Sequence, residues 1–120
     1  MRCVVRALLA AALGLGVPAP APAHSLLLES TPAAGSTVAA APSTHSLRFN
    51  NRVEKLLSRL RLSTERGEPV RLATPASDGA ADRLSTPLPA LAPGAYRVEW
   101  QVLSADGHVV SGRFTFRVAP

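Results

Sequence analysis

The residues of this sequence that offer chemistry lie near its two ends, at His24 and in the segment SADGH of residues 104–108. Asp106 and His108 provide a carboxylate and an imidazole two positions apart, and such side chains project to the same side of an extended segment. Gly107 between them adopts backbone angles that other residues reach only at a cost. The pair can therefore point at one ion. The alternative is that Asp-Gly forms only a hairpin turn, for which it is a common pair.

His24 is a metal ligand of a second kind if it is the first residue of the mature chain. An N-terminal histidine presents its α-amine and its imidazole Nδ1, which close a six-membered chelate ring on one ion. An α-amine titrates at about pH 8 and an imidazole at about pH 6.5, so a divalent metal displaces both protons near neutral pH. Nitrogen ligands in a roughly square arrangement favour Cu(II). Completing the site with Asp106 and His108 requires both segments to lie at one end of the fold.

Residues 1–23 have the organisation of a signal peptide that ends directly before His24. Two arginines open the segment, and an uncharged apolar run too short to span a bilayer follows. Ala21-Pro22-Ala23 then gives the small-residue pattern of a cleavage site. The alternative, an apolar N-terminal helix of the folded domain, is opposed by three prolines near the end of the run. We therefore predict export to the periplasm and a mature domain of residues 24–120.

Removing this segment leaves 97 of the 120 residues, with 11 basic and 8 acidic side chains and a formal charge of about +3. Cys3 and Met1 are the only sulfur-containing residues, and both are removed with it. Burial and sheet hydrogen bonds alone must then hold a single domain with a modest core. The charge excess is too small, and the arginines are too dispersed along the sequence, to predict nucleic-acid binding. No second apolar run spans a membrane, so we expect the mature protein not to be membrane-embedded.

The mature chain has the pattern of short strands separated by turn residues. The predicted strands are residues 25–30, 47–49, 58–64, 70–73, 83–88, 95–103 and 112–118, and residues 51–60 include a possible turn of helix. The strand at 83–88 lies among prolines and is expected at a sheet edge. The last two strands alternate apolar and polar residues and read as a hairpin, with Trp100, Phe114 and Phe116 in the core. The pattern predicts an all-β fold, a single immunoglobulin-like antiparallel β-sandwich or Greek-key barrel of about seven strands.

Two segments resemble the CopC family of periplasmic copper-binding proteins. HSLLLESTPAAGSTVAAAP at residues 24–42 is similar to the family's opening, a mature N-terminal His-Ala followed by leucine, Ser-x-Pro-Ala and Gly. AYRVEWQVLSADGHVVSGRFTFRV at residues 95–118 is similar to its ending, where a Tyr-x-Val-x-Trp strand leads into Ser-x-Asp-Gly-His-x-x-x-Gly and a Phe-x-Phe strand. The sequence departs from the family at Ser25, where Ala is usual. It also departs in LRFNNRV at residues 47–53, where Leu-x-Phe-Ser-x-Pro-Val is usual.

The resemblance implies a cupredoxin-like β-sandwich that binds Cu(II) through the amine and imidazole of His24 and through Asp106 and His108. Some relatives bind Cu(I) in a methionine-rich loop, but the mature chain has neither Met nor Cys, so a single Cu(II) site is implied. The partner implied for copper delivery is an inner-membrane copper importer or another copper carrier. The implied role is copper buffering, delivery or resistance, without catalysis.

Three further residues, His45, Glu29 and Ser104, lie outside this set of ligands. His45 matches no ligand position in the Asp-Gly-His class, and we expect it at the surface. Glu29 and Ser104 are candidates to support the ligands through hydrogen bonds.

Two other functions fit parts of the sequence. Exported copper oxygenases that cleave polysaccharides also use an N-terminal His and a second His on a β-sandwich. This domain has only five aromatic residues and little surface for a polymer, and a carboxylate ligand would oppose the reduction of Cu(II) that such chemistry needs. A metal-free immunoglobulin-like adhesion or structural module would require neither a metal nor a free N-terminus.

Overall fold

The structure is a computed structural model that describes residue 16 and residues 25–120. Two β-sheets form the domain. The strands are β1 (Leu27–Thr31), β2 (Thr37–Val38), β3 (Thr44–Phe49), β4 (Arg59–Thr64), β5 (Pro69–Val70), β6 (Arg83–Pro87), β7 (Gly94–Leu103) and β8 (Val109–Val118), with one 3-10 helix at Lys55–Leu57. The first sheet has the order β1-β3-β6 and the second β2-β8-β7-β4-β5. The all-β sandwich expected from the sequence is confirmed. His24 and, apart from residue 16, the predicted signal peptide lie outside the described residues.

The hairpin of β7 and β8 is the longest element of the second sheet. Ten residues of each strand pair in register from Gly94 with Val118 to Leu103 with Val109. Alternate side chains of β7 are buried, as the period-two pattern predicts, and they pack against the buried side chains of the first sheet. Phe49 of β3 meets Trp100 of β7 edge to face, with ring centroids 5.2 Å apart. The core therefore lies between the sheets and fixes both ends of this hairpin.

The strand predictions differ from the structure in several places, and β3 and β8 each begin three residues before the predicted start. There are eight strands, because the two-residue β2 was not expected, and its pairing with β8 is parallel. The strand predicted at 70–73 is only Pro69–Val70. The first strand begins at Leu27 rather than at residue 25. By contrast, the edge position of β6 and the helical turn within 51–60 are confirmed. Within the described residues, no helix is long and apolar enough to cross a membrane.

The expectation that His45 lies at the surface is wrong. Its side chain is fully buried on β3, on the same inward face as Leu47 and Phe49. The Nδ1–H donates to the carbonyl of Thr31 at 2.9 Å, which leaves Nε2 as the acceptor nitrogen. Nε2 is buried without a hydrogen-bond partner. A proton added there would place a charge in the core with no acceptor to receive it.

Burial lowers the pKa of the His45 imidazole, and the hydrogen bond to Thr31 offsets part of that effect. Because the unfolded chain takes up the proton more readily than the folded one, stability is complete above about pH 6.5 and falls as the pH decreases below it. We predict that His45→Val flattens the free energy of unfolding between about pH 7.5 and 5.5, measured by urea titration of the apoprotein. Thr44→Val, an exposed change on the same strand, keeps the slope of the parent. A slope equally steep in His45→Val would assign the dependence to other groups.

Gly112 of β8 lies opposite Trp100 of β7 and makes room for its indole. A Cβ at this position would lie 2.7 Å from Cε2 of the ring and closer still to Cζ2. We predict that Gly112→Ala costs about 1–3 kcal/mol of unfolding free energy, as overpacking of a filled core does, and shifts the tryptophan fluorescence. Ser111→Ala, an exposed change at the neighbouring position, is the matched control and should alter neither quantity measurably. Unchanged stability in Gly112→Ala would show that the indole can move aside.

Candidate metal site

The loop between β7 and β8 is a tight turn of five residues, 104–108. The Ser104 N–H donates to the carbonyl of His108 at 2.8 Å, and the Gly107 N–H donates to the carbonyl of Ser104 at 2.9 Å. Gly107 has φ +85°, in the left-handed region that favours glycine. The Asp-Gly pair thus forms the hairpin turn that its residue types predict.

The same turn brings Asp106 and His108 together. Asp106 Oδ1 accepts the backbone N–H of His108 at 3.0 Å, and Oδ2 lies 3.0 Å from Nδ1 of the His108 ring. The carboxylate is largely covered, with 19% of the side chain exposed, whereas the imidazole is 67% exposed. The turn therefore fixes the carboxylate and holds the ring beside it at the rim of the sandwich.

Ser25 connects the start of the described domain to this loop. Its backbone N–H donates to Oγ of Ser104 at 2.9 Å, and the two hydroxyl oxygens lie 2.8 Å apart. Both side chains are buried, at 0% and 1% exposure, although 79 residues separate them in the sequence. From the sequence, Ser104 is expected as a supporting residue, but Ser25 is only a departure from the family pattern. The structure gives that departure a partner.

Asn50 holds the other side of the same segment. The side-chain Oδ1 of Asn50 accepts the backbone N–H of Leu26 at 2.7 Å, and the backbone N–H of Asn50 donates to the carbonyl of Leu26 at 3.0 Å. Three residues further on, Val53 forms an isolated bridge with Ser104. The segment 47–53 that departs from the family motif therefore supports both the start of the domain and the β7–β8 loop.

The remaining candidates lie elsewhere. Glu29 pairs with Arg48 at 2.7 Å on the solvent side of the first sheet, and this guanidinium lowers the pKa of the carboxyl. No hydrogen bond or ion pair between Glu29 and the loop occurs, so its expected support of the ligands is not seen. His45 is near the other end of β3, beside Thr31 rather than beside Asn50. Among residues 25–120, no group of three or more His, Cys, Asp or Glu side chains is arranged to hold a metal; the loop contributes two.

These features define a class of protein, a small β-sandwich with a carboxylate and an imidazole in a hairpin loop attached to the start of its first sheet. Residues 27–119 match the CopC domain. The chain belongs to the CopC family.

Two relatives and one solved structure are similar to the chain over most of their own length. Protein YobA of Escherichia coli strain K12 is 35% identical over 99 residues, which cover 80% of this chain and 79% of that protein. Copper resistance protein C of Pseudomonas syringae pv. tomato is 34% identical over 114 residues, covering 89% and 90%. The crystal structure of CopC from Methylosinus trichosporium OB3b has a TM-score of 0.72 at 36% identity and covers 81% of this chain and 95% of that one.

Substitution of Ser25 and of Ser104 removes different numbers of the hydrogen bonds that hold the start of the domain. Ser25→Ala removes the contact between hydroxyls but keeps the backbone N–H bond to Ser104, so we expect a loss of about 0.5–1.5 kcal/mol in unfolding free energy. Ser104→Ala leaves the buried N–H of Ser25 without this acceptor and should cost about 1–3 kcal/mol. Amide hydrogen exchange at residue 25 should accelerate only in Ser104→Ala. Equal exchange rates in the two variants would contradict the assigned bonds.

Proposed function

We propose that this chain is a periplasmic copper carrier that holds one Cu(II) through the amine and imidazole of His24 together with Asp106 and His108. The observation that carries the proposal is the bond between Ser25 and Ser104. Ser25 follows His24 directly in the sequence, and Ser104 is the first residue of the loop that contains the other two ligands. The contact supports a shared site, because the residue that adjoins His24 lies at the end of the fold that carries the loop.

The spacing of the loop atoms supports direct ligation by both side chains. Oδ2 of Asp106 and Nδ1 of His108 are 3.0 Å apart. Neighbouring ligand atoms in a square arrangement, each about 2 Å from the metal, have about this separation. A metal bound to both atoms would compete with protons for them, so we expect binding to weaken as the pH falls.

The exposure of the site favours a carrier over a catalyst. His108 projects into solvent at the rim of the sandwich, where an incoming ligand can displace it. We propose that copper passes by ligand exchange to an inner-membrane copper importer or to another carrier. The relative named Copper resistance protein C supports a role in copper resistance, which includes buffering of the ion.

The placement of the aromatic residues argues against a polysaccharide oxygenase. Phe49, Tyr96, Trp100 and Phe116 are buried in the core, and Phe114 is half-buried. These are all five aromatic residues of the chain, so none is left to form a flat stacking surface for a polymer.

We predict that His24→Ala and His108→Ala each weaken Cu(II) binding at least about tenfold, because each removes a ligand. Isothermal titration against a competing chelator measures the affinity, and paramagnetic resonance reports the nitrogen ligands. Asp106→Asn should change the spectrum more than the affinity, since an amide oxygen keeps the geometry without the charge. His45→Val, which removes a histidine far from the loop, is the control and should bind like the parent.

A variant that retains Ala23 before His24 tests the chelating amine separately. The amine becomes a peptide nitrogen, so we expect the affinity to fall and the resonance spectrum to lose one nitrogen. Parental affinity in this variant and in both ligand variants would contradict the proposed site, whereas the absence of a defined copper signal in the parent itself would favour a metal-free module. Consumption of oxygen by the copper-loaded chain with a reductant would favour the oxygenase.

A further inference from the structure

The outward face of the second sheet carries five exposed arginines on three neighbouring strands. Arg61 of β4 lies opposite Glu99 of β7, and Glu99 lies opposite Arg113 of β8. On each of these strands, every second residue counted from this row also projects from the outward face. We call this surface the arginine face, and its arginines are Arg59, Arg61, Arg97, Arg113 and Arg117. Residues far apart in sequence thus form one basic surface.

The arginine face concentrates the positive charge of the domain. Five arginines and Glu99 give it a formal charge of +4, whereas the other residues of 25–120 carry six basic and seven acidic side chains. Within the part of the chain that the structure describes, none of the five guanidinium groups forms an ion pair or a side-chain hydrogen bond. Like charges on neighbouring strands repel one another.

The fold does not require arginine at these positions. Equivalent outward positions on the same strands hold Ser63, Gln101, Ser111 and Thr115, which satisfy the solvent side of a sheet equally well. These like charges cost stability and form no ion pair within the described domain. Such a set is typical of a surface that binds an external anion.

We propose that the arginine face binds the surface of an anionic phospholipid membrane. Arginine pairs with phosphate through two parallel hydrogen bonds, and a flat array of guanidinium groups matches a layer of headgroups. The loop-side border of the face also carries exposed aliphatic residues, Leu56 and Leu57 before β4 and Val109 at the start of β8. Basic residues beside exposed aliphatic ones are typical of binding at a membrane interface.

Other occupants fit the face less well. A folded protein partner usually meets aromatic anchors in the centre of an interface, and the arginine face has none. Single-stranded nucleic acid needs exposed aromatic residues for stacking, and all five aromatics of the chain are buried or half-buried. A second copy of the face would be repelled by its own charge.

Membrane binding through this face would leave the β7–β8 loop at the border of the contact. Arg59 lies opposite Gln101, two residues before Leu103, where the strand leads into the loop. The lipid contact involves neither Asp106 nor His108 and does not depend on copper. It goes beyond the proposed carrier function and can fail or succeed independently of it.

Vesicle flotation tests the proposal on the exported chain, with its N-terminus read by mass spectrometry. The probes are vesicles of phosphatidylcholine alone and of phosphatidylcholine with phosphatidylglycerol, at low and high salt. We expect binding only to the anionic vesicles, with loss at high salt. Each arginine contributes about fivefold, so Arg61→Gln with Arg113→Gln should weaken binding about 25-fold. Arg66→Gln with Arg83→Gln removes the same charge outside the face, from the turn after β4 and from β6 of the first sheet, and should change binding less than about twofold.

A further pair, Leu56→Ser with Leu57→Ser, should reduce vesicle binding while leaving the salt dependence intact. Equal losses in the two arginine pairs would overturn the proposal, because net charge and not the face would then be responsible. Binding that does not distinguish the two kinds of vesicle, or retention on immobilised single-stranded DNA without binding to vesicles, would overturn it as well. Far-ultraviolet circular dichroism of each variant confirms that the fold is retained.

Discussion

The buried contact between Ser25 and Ser104 is the constraint on which the rest of this domain's arrangement depends. The beginning of a domain usually frays, because few contacts hold it against solvent. Here two hydrogen bonds at 2.9 and 2.8 Å tie the first described residues to a loop almost eighty residues later. Asn50 closes the other side through the backbone of Leu26. The first described residues of the domain therefore have one location, at the end of the fold that carries the β7–β8 loop.

The β7–β8 hairpin supplies the other half of this arrangement. Ten paired residues on each strand, packed through Trp100 against Phe49, hold the loop at a fixed distance from the core. A site on such a rigid element is positioned more accurately than one on a long loop. The turn chemistry of Asp106-Gly107 and the pairing of Asp106 with His108 are not competing explanations. The left-handed Gly107 is what allows the carboxylate to contact both the backbone and the ring of His108.

Much of this fold was predictable because period-two alternation determines which side of a strand is buried. β7 and β8 follow the pattern closely, and both were identified with their inward faces. β2 was missed because two residues have no period, and its pairing with β8 depends on tertiary contacts. His45 alternates with Leu47 and Phe49, but its burial was not predicted because the predicted strand starts three residues too late. The contact of Ser25 with Ser104 leaves no local signal, since it joins residues that only the complete topology brings together.

The distribution of charge along the sequence likewise did not predict its distribution over the surface. Along the chain the arginines alternate with apolar residues, and that dispersal indicates solvated strand faces. Alternation, however, places every second residue of a strand on one surface, and the pairing of β4, β7 and β8 stacks these residues side by side. The feature that spreads the charges in sequence is thus the feature that gathers them in space. One hairpin thereby contributes inward side chains to the core, outward arginines to a basic surface and its turn to the candidate metal site. Because these three sets occupy different faces or ends of the same strands, each can vary without displacing the others.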